Sequence, residues 1–137
     1  MLKKAALILA AVIGVSAIAH AQTASGHDET LASGVRIHQI TQGTGAKPTA
    51  DNTVTVNYRG TFLNGTEFDS SYKHGQPISF PLRGVIPCWT ESVQHIAVGG
   101  KARVLCPSST AYGARGAGGV IPPNSDLIFE IELLAVK

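Results

Sequence analysis

The sequence lacks the short motifs that mark several large classes of enzyme. It contains no G-x-S-x-G motif of serine hydrolases, no glycine-rich phosphate-binding loop and no H-E-x-x-H zinc motif. The histidines beyond residue 21, which are His27, His38, His74 and His95, are too scattered to form a metal-ligand motif. The sequence therefore points away from a serine hydrolase, a nucleotide-binding enzyme and a metalloenzyme, and it predicts neither a metal nor a cofactor.

An excess of charge of one sign is also lacking. The 137 residues include 11 Lys and Arg and 9 Asp and Glu, and two of the lysines lie in the first four residues. A balanced chain offers no electrostatic attraction for nucleic acid or for an anionic membrane. No internal repeat, coiled-coil heptad or low-complexity segment is present, and the length suits a single domain with one modest core.

The longest apolar run lies at the N terminus. Lys3 and Lys4 precede the apolar residues 5–18, and Ala19-His20-Ala21 offers the small-x-small site of signal peptidase. The run is shorter than the roughly 20 residues that cross a bilayer, and no lipid-attachment cysteine follows it. We therefore expect residues 1–21 to be a signal peptide and the mature protein to be periplasmic or secreted, without stable membrane association. An uncleaved membrane anchor is the alternative.

The remainder is typical of a small β protein with one helix. Residues 22–30 are polar without an apolar period, so that 22–32 is expected to be a flexible tail and 33–137 a folded domain. β-rich or alternating segments, several of them bounded by turn residues, predict strands; these are 35–41, 53–63, 66–71, 77–82, 101–106 and 126–136. The order favours an α+β fold in which an antiparallel half-barrel of about five strands wraps around one short helix.

The predicted helix and the loop that follows it carry the most specific signals. The helix begins after Pro87 and places Trp89, Val93 and Ile96 at helical spacing. Residues 107–124 form a long loop rich in glycine and proline, and such loops are often functional. Near its end, Val120 and Ile121 are apolar side chains at a loop tip, which favours a role as the wall of an apolar pocket. Packing into the core is the alternative.

Several segments along the chain resemble one protein family. VNYRGTFLNGTEFDSS, VIPCWTESV, AYGARG and VIPPNSDLIFEIELL, in this order, are similar to the FKBP-type peptidyl-prolyl cis-trans isomerases, and particularly to single-domain secreted bacterial members. The resemblance covers about residues 33–137. It implies an apolar cavity between the helix and the sheet, into which the ring of a substrate proline inserts. It also adds FK506-like macrolides to the expected ligands.

The resemblance assigns roles to individual residues. It implies that the catalytic residues are Tyr58, Asp69, Tyr112 and Phe129. It implies that the substrate is bound by Phe68, Val85, Ile86, Trp89 and Ile121. Trp89 would form the floor, the Ile86 N–H and the Tyr112 hydroxyl would bind substrate carbonyls, and Ile121 would close the mouth.

Each role has an ordinary structural alternative. Trp89 and Phe129 are candidates for plain core packing, Asp69 for a turn or cap, and Tyr112 for a tie within its loop. The sequence also departs from the family pattern, because Ile78 stands where an aromatic residue often occurs and Ala117 where a larger side chain is found. Both departures trim the outer rim of the expected pocket.

The function expected from the resemblance is isomerisation of X-Pro bonds during the folding of exported proteins, by desolvation and twisting of the amide. The partners are then unfolded or partly folded polypeptides that contain proline. A chaperone-like module that binds chains in the same cleft without turnover is the alternative, and a small β-barrel carrier of an apolar ligand is another. A carrier has no need of the polar groups of Tyr58, Asp69 and Tyr112. Without the long helical extension that dimerises some exported relatives, we expect a monomer.

The two cysteines, Cys88 and Cys106, belong to a chain that is expected to be exported. An oxidising compartment favours a disulfide over a metal site or a reactive thiol. The fold implied by the resemblance could bring the start of the helix and the end of a strand together. Two separate buried thiols are the alternative.

Cleavage after Ala21 should give a mature protein that begins at Gln22, because signal peptidase cuts after a small-x-small site that follows an apolar run. Intact-mass spectrometry of the protein recovered from the periplasmic fraction of a Gram-negative host tests this. A soluble periplasmic species that retains residues 1–21 would contradict export by this route.

Overall fold

The computed structural model describes residues 28–137; the predicted signal peptide and residues 22–27 lie outside the described residues. Within 28–137 there is one α-helix, α1 (Pro87–Val93), and there are short 3₁₀ turns at Tyr72–His74, Leu82–Gly84 and Ser108–Thr110. The strands are β1 (Asp28–Thr30), β2 (Arg36–Thr41), β3 (Thr53–Phe62), β4 (Glu67–Ser70), β5 (Ile78–Pro81), β6 (Lys101–Cys106) and β7 (Leu127–Val136). Among these residues, no helix is long and apolar enough to span a membrane.

The strands described within residues 28–137 join one antiparallel sheet, six of them in the order β1-β2-β6-β7-β3-β4. The remaining strand, β5, pairs with residues 53–56 of β3, beside the region of β3 that pairs with β4. The longest ladder joins β3 to β7, from Val54 opposite Val136 to Phe62 opposite Leu127. This confirms the predicted α+β architecture, although the sheet has seven strands and not about five.

The core lies between α1 and one face of the sheet. Along β7 the buried positions alternate with partly exposed ones, which puts Leu127, Phe129, Ile131 and Leu133 on the same face. They join the buried face of α1 in a single apolar cluster. The period-2 pattern of the sequence therefore indicates correctly which face of the strand is buried.

The helix ends earlier than its apolar spacing predicts. It stops at Val93, and the chain continues in turns such as the bond from Ile96 N to Val93 O. The backbone beyond it binds the segment before β3, because Val98 N donates to Ala46 O and Gly45 N donates to Val98 O. Ile96 still reaches the core, where it is fully buried.

The prediction of a flexible tail over 22–32 is wrong for its described part. Asp28–Thr30 forms β1 and pairs with β2 in three consecutive pairs. Its acidic side chains also have partners, since His38 Nδ1 lies 2.5 Å from Asp28 Oδ1 and His95 Nδ1 lies 3.1 Å from Glu29 Oε2. The sequence does not mark this strand, because its short polar segment has no apolar alternation, although its partner β2 follows closely along the chain.

The two cysteines form a disulfide that joins the helix to the sheet. Cys88 lies in the first turn of α1 and Cys106 is the last residue of β6, with their Cα atoms 5.7 Å apart. Both residues are fully buried. The pairing favoured by an oxidising compartment is therefore present in the structure, and the alternative of two separate thiols is not.

Replacing both cysteines by alanine should lower the free energy of unfolding by about 3 kcal/mol, because the bond closes a loop with a sequence separation of 18. Urea unfolding of the oxidised wild type and of the Cys88→Ala/Cys106→Ala variant measures the difference. Reduced wild type is the matched control and should unfold close to the double variant. Equal urea midpoints for the oxidised wild type and the variant would contradict the prediction.

Candidate functional site

A cleft of about 500 Å³ opens between the start of α1 and the sheet. Every site residue predicted from the sequence lines it except Ile121. The lining consists of Tyr58, Phe68, Asp69, Ile78, Gly84, Val85, Ile86, Trp89, Tyr112 and Phe129. We call this space the main cleft. It draws residues from α1, four strands and two connecting segments, so the fold is needed to assemble it.

Trp89 forms the base of the main cleft. Its ring is 5.2 Å from the ring of Tyr58 and 5.1 Å from that of Phe129, both nearly perpendicular, and Phe80 supports it at 5.5 Å. Such pairs add about 0.5–1.5 kcal/mol each beyond the burial of area. Trp89 is only 6% exposed. The two roles considered for Trp89 therefore coincide, because it packs in the core and lines the cleft.

A glycine makes room for the aromatic wall. Phe68 lies against Phe129, with ring centroids 5.7 Å apart, and both rings pack closely against Gly60. A Cβ atom at Gly60 would lie 2.7 Å from Phe68 Cζ and 2.8 Å from Phe129 Cε1. Any other residue here would displace the wall of the cleft. The sequence around Gly60 gives no signal of this role, because the need for a glycine comes from rings on two other strands.

The polar groups of the cleft centre on Asp69. The Tyr58 hydroxyl donates to Asp69 Oδ2 at 2.5 Å, and Asp69 Oδ1 accepts from the Ser70 N–H at 2.9 Å. His74 Nε2 lies 3.2 Å from the same Oδ1 atom. Asp69 therefore has partners on both oxygens, which is more than the simple turn or cap considered from the sequence.

These contacts keep the tyrosine neutral and the aspartate charged. Burial, followed by the hydrogen bond to Asp69 and its charge, holds the pKa of Tyr58 far above its usual value. Burial raises the pKa of Asp69, but hydrogen bonds from Tyr58, His74 and the Ser70 backbone outweigh it, and the net pKa is lowered. Around neutral pH the phenol is a donor and the carboxylate an acceptor.

Tyr112 reaches the cleft from the long loop after β6. Its ring is 38% exposed, and burial, with the charge of Asp69, raises its pKa. The loop is ordered by its own hydrogen bonds, including Gly116 N to Tyr112 O at 3.1 Å and Asn124 N to Gly113 O at 2.8 Å. Tyr112 is thus held at the edge of the main cleft by the backbone of its own loop.

Ile121 lies in a neighbouring space and not in the main cleft. It forms a tight turn with Ala117 through two backbone hydrogen bonds and is 6% exposed, whereas Val120 is 56% exposed. Both side chains line a second space of about 520 Å³, which we call the rim compartment. Its other residues are Phe68, Asp69, His74, Tyr112, Ala117 and Gly118. Both alternatives for the loop tip are realised, because Ile121 packs into the core and also lines the rim compartment.

Ile86 provides a backbone donor beside the floor. It precedes α1, and its carbonyl accepts from Trp89 N at 2.9 Å and Thr90 N at 3.1 Å. Its own N–H stands outside the helical hydrogen-bond pattern, as expected at a helix start. Gly84, in the 3₁₀ turn before Ile86, also lines the cleft and was missed by the sequence analysis. Over residues 28–137, no cluster of three His, Cys, Asp or Glu side chains is placed to hold a metal ion.

Comparisons with known proteins agree with this geometry. A family model described as FKBP-type peptidyl-prolyl cis-trans isomerase matches residues 44–134. The chain is 48% identical over 109 residues to the FKBP-type peptidyl-prolyl cis-trans isomerase FkpA of Escherichia coli, covering 80% of this chain and 40% of that protein. It is 49% identical over 107 residues to the outer membrane protein MIP of Legionella longbeachae, covering 78% of this chain and 46% of that protein.

A solved structure matches over a greater share of its own length. A peptidyl-prolyl cis-trans isomerase from Pseudomonas syringae pv. tomato is 39% identical with a TM-score of 0.76, covering 98% of this chain and 99% of that one. The chain thus spans less than half the length of the E. coli and Legionella proteins but almost all of the Pseudomonas protein.

The Asp69→Asn variant should be less stable than the wild type at neutral pH, and the gap should shrink in acid. The pKa of Asp69 is lowered in the folded protein. Its ionised form therefore stabilises the fold at pH values above the pKa of the unfolded state, which is about 3.9. That stabilisation is lost as pH falls through the lowered pKa. Urea unfolding of both proteins at about pH 7 and at successively lower pH below about 4 tests this. A gap that is constant with pH would contradict the prediction.

Proposed function

Because this chain belongs to the family of FKBP-type peptidyl-prolyl cis-trans isomerases, we propose that it accelerates cis-trans isomerisation of X-Pro bonds in polypeptides. The observation that carries the proposal is the main cleft, which has an aromatic floor and wall and keeps its polar side chains, Tyr58, Asp69 and Tyr112, together on one side. A proline ring is apolar and suits the floor, while the amide next to it needs a few fixed donors.

The reaction requires a cleft of this kind and no nucleophile. Rotation about a peptide bond has a barrier of ~18–20 kcal/mol, and unaided X-Pro isomerisation takes tens to hundreds of seconds. The twisted amide has lost resonance and the charge separation that accompanies it. Transfer from water to an apolar cleft therefore favours the twisted form over the planar one, and hydrogen bonds that are strongest to the twisted form add to this.

The proposed roles follow from where each group lies. Trp89 and Phe129 exclude water from the proline ring, with Phe68, Val85 and Ile86 completing the apolar lining. The Ile86 N–H and the Tyr112 hydroxyl donate to substrate carbonyls. Tyr58 and Asp69 fix each other's orientation through their hydrogen bond. Ile121 acts from the rim compartment, next to the bound proline.

We further propose that the protein is exported and acts on polypeptides that fold outside the cytoplasm. The predicted signal peptide supports this, as does the name of the Legionella relative, which places that protein at the outer membrane. Binding of FK506-like macrolides and a monomeric state stay predictions.

Tyr112→Phe should lower kcat/KM roughly tenfold, the effect of one hydrogen bond of about 1.4 kcal/mol that is made to the twisted amide. A protease-coupled assay on a Leu-Pro peptide measures this. Tyr72→Phe is the matched control, because Tyr72 is 58% exposed and does not line the main cleft. Its rate should equal that of the wild type. Full activity in folded Tyr112→Phe would show that the site is misplaced.

The same assay separates desolvation from acid–base catalysis and from simple binding. The pKa of Tyr58 is raised and that of Asp69 lowered, so neither group changes its charge between about pH 6 and 8. The wild-type rate should vary little over this range. A bell-shaped profile would indicate an essential titrating acid and base, and peptide binding without turnover would favour the chaperone-like alternative.

A further inference from the structure

The 3₁₀ turn Tyr72–His74 is fixed to the strand that carries the Tyr58 phenol. Ser71, which is fully buried, accepts a hydrogen bond from Tyr58 N at 2.9 Å and donates one to Asn57 Oδ1 at 2.9 Å. The Ser71 N–H also donates to Tyr58 O at 3.0 Å. The turn and the phenol therefore share one rigid support.

The position of His74 is set by backbone contacts and not by its imidazole. Lys73 N donates to Ser70 Oγ at 3.0 Å, and His74 N donates to Ser71 O at 3.0 Å. Gly75 then ends the turn at φ 79°, a left-handed conformation that glycine adopts without strain. Removing the imidazole should leave this turn in place.

The imidazole is aimed at the carboxylate of the candidate site. His74 Nε2 lies 3.2 Å from Asp69 Oδ1, while the other oxygen accepts from the Tyr58 hydroxyl at 2.5 Å. The carboxylate is thus held from both sides. Within 28–137, His74 is the only basic side chain that contacts Asp69. His74 lines the rim compartment and does not line the main cleft, so it reaches a bound proline only through Asp69.

We propose that His74 is a positioning residue for the isomerase site, holding the Asp69 carboxylate in the orientation that fixes the Tyr58 hydroxyl. The inference rests on the proposed function of the cleft. Without the imidazole, Asp69 Oδ1 keeps only the Ser70 N–H as a donor, and the carboxylate is less firmly held about its terminal torsion. The phenol that it orients is then less firmly fixed at the wall of the cleft.

The contact does not require a protonated histidine. The imidazolium donates from Nε2, and so does the neutral tautomer with its proton on that atom. The groups that face Asp69 are Tyr58, His74 and Tyr112, of which the two tyrosines have raised pKa values. A role for His74 therefore agrees with a rate that varies little across neutral pH.

Two measurements on His74→Ala and His74→Arg test the proposal. The first is the pKa of Asp69, followed by NMR of its side-chain carboxyl carbon. It should rise in His74→Ala, since His74 lowers it in the wild type, and stay low in His74→Arg, because a guanidinium donates to carboxylates at any accessible pH. The second is kcat/KM on a Leu-Pro peptide. It should fall about two- to fivefold in His74→Ala, as for loss of one partly exposed hydrogen bond, and recover in His74→Arg.

The matched control is His38→Ala. His38 also pairs with a carboxylate, that of Asp28, but at the β1 edge and away from both spaces of the site. It should change neither the pKa of Asp69 nor the rate. An unchanged Asp69 pKa in His74→Ala, an unchanged kcat/KM, or a loss of rate that arginine does not restore would each overturn the proposal. A wild-type protein without isomerase activity would overturn the proposed function, while the titration of Asp69 would still report the contact itself.

Discussion

The ladder between β3 and β7 sets the geometry on which the cleft depends. It places Tyr58 opposite Ile131 and Gly60 opposite Phe129, so that the phenol, the gap above the glycine and the aromatic wall share one face. A slip of one residue would turn every one of these side chains to the other face of the sheet. The register shifts once, at a bulge between Thr55 and Val56. From Val56 to Phe62 the pairing is regular and includes Tyr58 and Gly60.

The disulfide extends this control to the parts of the site that lie off the ladder. Cys88 directly precedes Trp89, and Cys106 directly precedes the loop that carries Tyr112. One covalent bond therefore joins the floor of the main cleft to the end of β6, where the loop that carries Tyr112 begins. The proposed isomerisation requires both ends to be held, because an apolar floor would favour a twisted amide only while the donors at the edge stay within reach.

Local periodicity predicted those features that depend on near neighbours in the sequence. The alternation in β3 and β7 and the helix at Pro87 lie at or near their predicted positions. The features that were missed leave no periodic signal in the sequence. β1 is a short polar strand without apolar alternation, and Gly60 is required by rings on two other strands. His74 becomes relevant only once its turn is folded against Tyr58.

The short strand β1 has a consequence for handling the protein. It covers the outer side of β2, whose backbone would otherwise present a row of unpaired donors and acceptors. A version shortened to begin at residue 33, where sequence alone would place the domain boundary, would leave that row open to a strand from another molecule. With β1 in place, the edge of the sheet on this side is a strand of only three residues that carries Asp28 and Glu29, and a short charged edge is a poor template for another strand.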